Sequence, residues 1–355
     1  MWYSGLYHIM QGRMLKEEIL EYIRKGAWKP GDRVPSERAL ALQKNMARAT
    51  INRVLKELEG EGFLVNVRGK GRFVRDLKER QKTMTIGVVF WDFTHSVHPV
   101  GIEILKGIEE VLAREGYRLL IYTARNTPAL PPSKRTAFNV VPIERVDGLI
   151  LGAQELPNEE IERVASFLPL VGYNLDSSLK IPLIIADYAW VGYTAVKYLA
   201  SLGRRRIALI NAWETFPIAR NLFEGYRLGL ASGGVSFSSS LLRTGYYDFD
   251  SGYLLMKTLL EERVDGVICG DDFIAVGAIK AIKDAGLLVP EDIAVVGCND
   301  LPIARMIEPP LTTFHIDFHR MGMESARMLL LLLQGKELEE RIIYIKPKLV
   351  VRKST

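Results

Sequence analysis

Residues 26–74 read GAWKPGDRVPSERALALQKNMARATINRVLKELEGEGFLVNVRGKGRFV, and this run decides what the front of the chain is. Pro30-Gly31 breaks the chain. Pro35-Ser36 then opens a helix, with Ser36 as N-cap and Glu37 in the positive first turn. A short turn is expected around Asn45-Met46. Beyond it, Ile51, Val54, Leu55 and Leu58 recur at helical spacing and predict a helix over about 47–61 with that stripe inward. Arg48, Ala49, Asn52, Arg53 and Lys56 fall on the other face. Gly62 marks a helix stop, and 63–67 and 72–74 read as two strands joined through Arg68-Gly69-Lys70-Gly71. The glycines permit a tight turn, while Arg68, Lys70 and Arg72 offer cations to phosphate or to a minor groove. Upstream, Leu15, Ile19, Tyr22 and Ile23 predict a first helix over about 15–25. A helix-turn-helix followed by a basic wing suits double-stranded DNA: the apolar stripe anchors the recognition helix, and cationic and amide groups meet phosphates and base edges.

Charge supports the same division. Residues 1–80 hold 17 Lys and Arg against 10 Asp and Glu, a balance of +7. The remainder holds 30 against 32, a balance of −2, which together give the net +5. A basic head on a near-neutral body predicts that only the head meets a polyanion. The 355 residues suit two or three domains, with 48% hydrophobic and 25% charged residues as in ordinary soluble proteins. The N-terminus shows no secretory pattern, and the apolar run 328–333 is far too short to span a bilayer, so a cytoplasmic protein without a membrane partner is expected. Cys269 and Cys298 sit in apolar runs and read as buried thiols, with neither a disulfide framework nor a CxxC metal pattern.

PGDRVPSERALA, ARATINRVLKELEGEGF and GKGRFV together resemble the GntR family of bacterial transcription factors over nearly the whole head. The resemblance implies that Arg38 and Arg48, at the starts of the second and third helices, and Arg68 and Gly69 in the wing take DNA-contact positions. The candidate contact set is therefore Arg38, then Arg48, Ala49, Thr50, Asn52 and Arg53 on the third helix, then Arg68, Gly69, Lys70 and Gly71 in the wing. The family often has Arg where this chain has Asn52. Asn pairs bidentately with adenine whereas Arg prefers guanine, so the departure bears on which operator is read.

Residues 78–84 (KERQKTM) are polar, highly charged and aperiodic, and read as a linker between a head (1–77) and a body (85–355). In the body, apolar strand candidates alternate with helical spacing: 86–90, 119–122, 148–151, 170–172, 183–186, 207–210, 266–269 and 293–297. Unbroken apolar strands alternating with helices predict α/β architecture, with parallel sheets covered on both faces. VDGLILG at 146–152 recurs as VDGVICG at 264–270, one unit in each half, as two similar lobes would leave. GIEEVLAREGYRLLI, YLASLGRRRIALI, CGDDFIAVGAIKAIKDAGLLVPEDIAVVGCND and PPLTTF (309–314) resemble the effector domain of LacI/GalR repressors, which is similar to periplasmic sugar-binding proteins. The expected fold class is thus an N-terminal winged helix-turn-helix plus a two-lobed, periplasmic-binding-protein-like domain.

Two doubly wound lobes place a ligand cleft at the carboxyl ends of their strands. A sugar needs paired donors and acceptors on its hydroxyl edges and an aromatic on its apolar face. By the resemblance, Asp187, Asp271 and Asn299 take effector-contacting positions after their strands, and Arg220 stands near a ligand-binding Arg, though its spacing to Gly225 departs from the usual one. Trp91 and Asp92 follow the first strand and face the same cleft, and His315 follows PPLTTF on a crossover. Asp271 and Asp272 also suit helix caps, and Trp213 and Phe216 are weaker stacking candidates that read first as packing. His95-x-x-His98 and His315-x-x-x-His319 have ligand-like spacing, but no Cys or carboxylate set completes a metal site, and no nucleophile elbow or phosphate loop is present. No metal, cofactor or enzymatic activity is expected.

The expectation is a homodimeric repressor that binds a palindromic operator and is released by a small carbohydrate. Such a head on such a body resembles the arabinose-responsive repressors of bacteria. L-arabinose is therefore the first effector expected, with ribose, galactose or a phosphosugar as alternatives. A sugar-binding transport component is the rival from another class.

Overall fold

A computed structural model of the chain describes residues 2–24, 27–60, 63–75, 82–90, 98–123, 145–152, 158–166, 168–233 and 237–355. The expected contacts Trp91 and Asp92, the helix stop at Gly62 and most of the 78–84 linker lie outside the described residues.

The head begins with α1 (Trp2–Arg24), which starts well before the apolar positions that predicted it. α2 (Glu37–Lys44) is capped as expected: the Ser36 hydroxyl accepts from the Ala39 N–H at 3.2 Å. Asn45 ends it in the left-handed conformation, φ 49°, which Asn tolerates better than most residues. α3 (Arg48–Gly60) buries Ile51, Val54, Leu55 and Leu58. These pack with Leu15, Ile19 and Leu20 of α1, Leu40 of α2 and the hairpin residues Leu64 and Val74. The hairpin pairs β1 (Leu64–Val67) with β2 (Gly71–Val74), antiparallel, in register Leu64 to Val74. Gly69 and Gly71 at its tip have φ +78° and +106°, conformations that favour glycine.

In the body, one six-stranded parallel sheet is built from β3 (Thr85–Phe90), β4 (Arg118–Thr123), β5 (Gly148–Gly152), β6 (Leu170–Tyr173), β7 (Leu183–Ala186) and β13 (Ile342–Ile345). Its order is β13-β7-β6-β5-β3-β4. The described helices of this lobe are α4 (Pro99–Arg114), α5 (Asn158–Ala165) and α11 (Phe318–Leu333). The second sheet, also parallel, has the order β11-β10-β8-β9, with β8 (Ile207–Asn211), β9 (Leu242–Thr244), β10 (Gly266–Cys269) and β11 (Ala294–Val296). With it run α6 (Tyr188–Ser201), α7 (Pro217–Ser232), α8 (Phe249–Leu260), α9 (Asp272–Asp284) and the short α10 (Ile303–Met306). The chain passes from the first lobe to the second at 186–188 and returns through β12 (Thr313–His315). It crosses again after β13 into β14 (Lys348–Val350), which pairs antiparallel with β12.

The repeated VDG has a physical reason. Asp147, entering β5, accepts from the Thr83 and Met84 N–H groups ahead of the neighbouring β3 at 2.8 and 2.9 Å. Asp265, entering β10, does the same for Arg205 and Arg206 ahead of β8, both at 2.8 Å. In each lobe a carboxylate ties off the N-H groups where an adjacent strand begins, and glycine follows as the strand starts.

Candidate DNA interface and ligand cleft

On the head, Arg38, Arg48, Ala49, Arg68, Gly69 and Lys70 are exposed, and Arg53 is about half exposed. Thr50 departs from the expected contact face. It is 9% exposed, with its methyl beside Gly12 of α1. The physical reason is its spacing: Thr50 lies four residues before Val54 and so belongs to the inward stripe. Arg72 departs as well. Instead of standing ready for phosphate, its side chain is 13% exposed and turned inward. Its Nη1 donates to Glu37 Oε1 at 2.8 Å, its Nε to Glu59, and its Nη2 to Asn52 Oδ1 at 3.4 Å. Glu37 also takes Arg48 Nε at 3.2 Å. The Arg72 guanidinium, seconded by Arg48, holds the Glu37 carboxyl below the usual carboxylate range against the opposing effect of burial. One ionic network thus joins the wing to the starts of α2 and α3.

In the body, several of the expected ligand residues meet at strand ends. Asp271 follows β10 and is 2% exposed. Its Oδ1 caps α9, accepting from the Phe273 N–H at 2.7 Å, and its Oδ2 accepts from Asn299 Nδ2 at 2.7 Å. One carboxyl thus both caps the helix and holds Asn299. Burial pushes its pKa up to about 7, although both hydrogen bonds pull the other way. Asp272 beside it, also expected as a cap, is instead the first residue of α9 and turns its carboxyl elsewhere. Its oxygens accept from Thr313 Oγ1 and the Leu301 N–H, both at 2.6 Å, and burial raises it well above the usual range, with the Asp271 charge adding. Asn299, held with φ +98°, lies after β11, and its Oδ1 is 3.4 Å from the Tyr188 hydroxyl, which donates to it. Asp187 ends β7 on the crossover, half-buried, and caps α6 through the Trp190 N–H at 2.8 Å.

Two expected residues turn elsewhere. Arg220, in the first turn of α7, pairs with Asp176 of the loop after β6 at 2.6 Å, bridging one lobe to the other. The His315 ring faces Asp300 at 3.4 Å, and Asp300 is held in turn by Arg352 at 2.6 Å. His319 faces Glu110 instead, at 3.1 Å, so the two histidines do not converge. Among the described residues no cluster of His, Cys, Asp and Glu can hold a metal ion. Cys269 and Cys298 are free and buried.

The structure adds residues that sequence reasoning does not nominate. Tyr188 is buried beside Asn299. Asn211 ends β8, donates to the Ala219 carbonyl at 2.8 Å and lies 3.5 Å from the Tyr247 hydroxyl. Asn211 carries the same signal as Asp271, a polar residue closing an apolar strand. Tyr247 follows β9, which is too short and too exposed to read as a strand. His98, at the start of α4, meets Phe273, at the start of α9, edge to face at 5.5 Å across the lobes. Among the described residues no helix is long and apolar enough to cross a membrane.

Comparison with known proteins agrees with this geometry. Residues 11–74 match the bacterial regulatory proteins of the gntR family, and residues 196–355 match the periplasmic binding protein-like domain. The HTH-type transcriptional repressor PurR of Pasteurella multocida is 31% identical over 277 residues, covering 77% of this chain and 81% of that protein. The arabinose metabolism transcriptional repressor of Geobacillus stearothermophilus is 28% identical over 366 residues and covers 96% of each chain. A solved lac repressor dimer, bound to operator and the anti-inducer ONPF, superposes with TM-score 0.68 at 25% identity, covering 79% of this chain and 96% of that one. These relatives are transcriptional regulators rather than enzymes. The chain belongs with them to the helix-turn-helix transcriptional repressors, a gntR-type head carried on a LacI-type, periplasmic-binding-protein-like body.

Proposed function

We propose that the protein is a cytoplasmic, homodimeric repressor whose head (1–77), joined by the 78–84 linker, binds a palindromic operator, and whose body (85–355) binds a small carbohydrate that releases it. The observation that carries the effector half is the Asp271–Asn299 pair. A buried carboxylate and an amide, 2.7 Å apart at the ends of adjacent strands, offer the acceptors and donors that sugar hydroxyls need. Asp187, Tyr188 and His315 stand around the same crossovers, Arg220 pairs with Asp176 away from them, and Trp91 and Asp92 complete the proposed set. On the DNA side, Arg38, Arg48, Ala49, Asn52, Arg53, Arg68, Gly69, Lys70 and Gly71 form the proposed contact set.

L-arabinose is the effector we favour, because the whole-length relative of Geobacillus stearothermophilus is named for arabinose metabolism. A phosphosugar fits less well: Arg220, the cation expected in the cleft, is already matched by Asp176. Release follows as a coupling free energy, with the sugar favouring one lobe geometry and that geometry misplacing the two heads relative to the half-sites.

Titration of wild type and Asp271→Ala with pentoses, hexoses and their phosphates, followed by tryptophan fluorescence, tests the reading. Saturable binding of L-arabinose, lost in the variant while operator affinity is kept, is the expected result. Binding of another sugar alone keeps the repressor and replaces its effector. Operator affinity unchanged at saturating sugar would sink the release mechanism.

A further inference from the structure

Arg72 is the least expected element of the head. Resting on the proposed DNA-binding role, we propose that Arg72 is a positioning residue that sets the base preference of Asn52. It turns the Asn52 amide so that its donor group, not its carbonyl, faces the major groove, and the base selected is guanine rather than adenine.

The argument starts from the donors. A guanidinium only donates. Arg72 Nη2 lies 3.4 Å from Asn52, so the amide atom facing it is the oxygen, and Oδ1 is the acceptor. The assignment of oxygen and nitrogen, ordinarily a choice made from the network, is here fixed by the partner's chemistry. The other two guanidinium positions are also taken, Nη1 by Glu37 at 2.8 Å and Nε by Glu59. Those two glutamates come from the start of α2 and the end of α3, so the fork is anchored on both helices of the helix-turn-helix. The side chain is 13% exposed and cannot swing away without breaking its ion pairs with Glu37 and Glu59.

With Oδ1 drawn toward the wing, Nδ2 occupies the far edge of the amide. Bidentate pairing with adenine needs Oδ1 to accept from N6 while Nδ2 donates to N7, both on the outward edge. Arg72 takes one of the two lone pairs of Oδ1 and draws the oxygen toward the wing, which disfavours that pairing. An outward amide group instead donates to the acceptors O6 and N7, which guanine alone presents together. The same network reaches Arg48 through Glu37, at 3.2 Å, although the Arg48 side chain itself stays largely exposed.

Selection of duplexes from a random-sequence library by the full chain, without effector, tests this. Wild type, Asn52→Ala and Arg72→Lys are compared position by position. Asn52→Ala identifies the position Asn52 reads by flattening it. At that position wild type should favour guanine over adenine by roughly tenfold. Arg72→Lys retains a charge for Glu37 and Glu59 but lacks the fork, so its preference there should move toward adenine, with the other positions unchanged. A wild-type preference for adenine at that position overturns the proposal, and this result does not depend on how the Arg72 variant folds. Arg72→Lys selecting the same base as wild type overturns it too, as does an Asn52→Ala variant that flattens no position. Those three results leave the DNA-binding reading standing. Enrichment of no sequence by wild type defeats that reading and the proposal with it.

Discussion

Asp271 shows how much a single residue can reveal and how much it conceals. Its position, a polar residue closing an apolar strand, is readable from CGDD alone. The raised pKa is not, because it arises from burial by surrounding elements. That shift has a sign to test. The folded state holds a proton that the unfolded chain releases near pH 4, so the associated stability is full below that pH and is lost as pH rises through about 7. Asp271→Asn is neutral throughout and lacks the loss. Wild-type unfolding free energy, measured by urea against that of the variant, should fall from about pH 4 to about pH 8, by at most about 4 kcal/mol. A difference independent of pH would mean that Asp271 is ionised across the range. Arg72 is the opposite case. GKGRFV suggests a wing cation ready for phosphate, but its partners Glu59, Asn52 and Glu37 lie 13, 20 and 35 residues away, beyond any local pattern.

Among the elements, legibility followed burial. The strands 183–186 and 266–269 were readable to the residue because they are apolar throughout and buried on both faces. β9, β13 and β14 escape a pattern reading because they are short and only partly buried. β12 hides inside PPLTTF, where prolines suggest a crossover and where its pairing with β14 joins distant segments. Helix pairing was invisible too, although its agents are plain residues. Gly192 and Gly225 let α6 and α7 cross closely, Gly252 and Gly277 do so for α8 and α9, and Gly107 and Gly322 for α4 and α11. A Cβ at Gly225 would lie 1.9 Å from the Ala189 carbonyl oxygen, a backbone atom that has no rotamer with which to yield. Gly225→Ala should therefore cost about 1–3 kcal/mol in urea denaturation. Gly60→Ala, at the end of α3 with nothing within 4 Å, should be neutral or slightly stabilising. Equal effects at both sites would show that helix propensity, not close crossing, governs these glycines.

At the scale of the molecule, the proposed release depends on how the two lobes meet. Among the described residues three chain crossovers, at 186–188, 315–318 and 345–348, join them, and each borders a residue of the proposed cleft or its brace: Asp187, His315 and the Ile345 carbonyl that accepts from the Asp187 N–H at 3.2 Å. Away from the crossovers, His98 meets Phe273 and Asp176 meets Arg220. The ion pair invites two functions that a static distance does not separate: bracing the lobes, or holding Arg220 for a sugar hydroxyl. A double-mutant cycle on effector binding separates them. Asp176 is already held below the usual carboxylate range by the Ser178 N–H and hydroxyl, with Arg220 contributing less, so its loop keeps its shape when the Arg220 partner is removed. If the pair braces, Asp176→Asn and Arg220→Met should each weaken sugar binding by a similar severalfold, and the double variant should be no worse than either single one. The coupling should stay within about 1 kcal/mol, because both side chains are partly exposed. If Arg220 touches the sugar, Arg220→Met will weaken binding further even in the Asp176→Asn background. The brace is then set aside, and Arg220 joins Asp271 and Asn299 in the proposed ligand set.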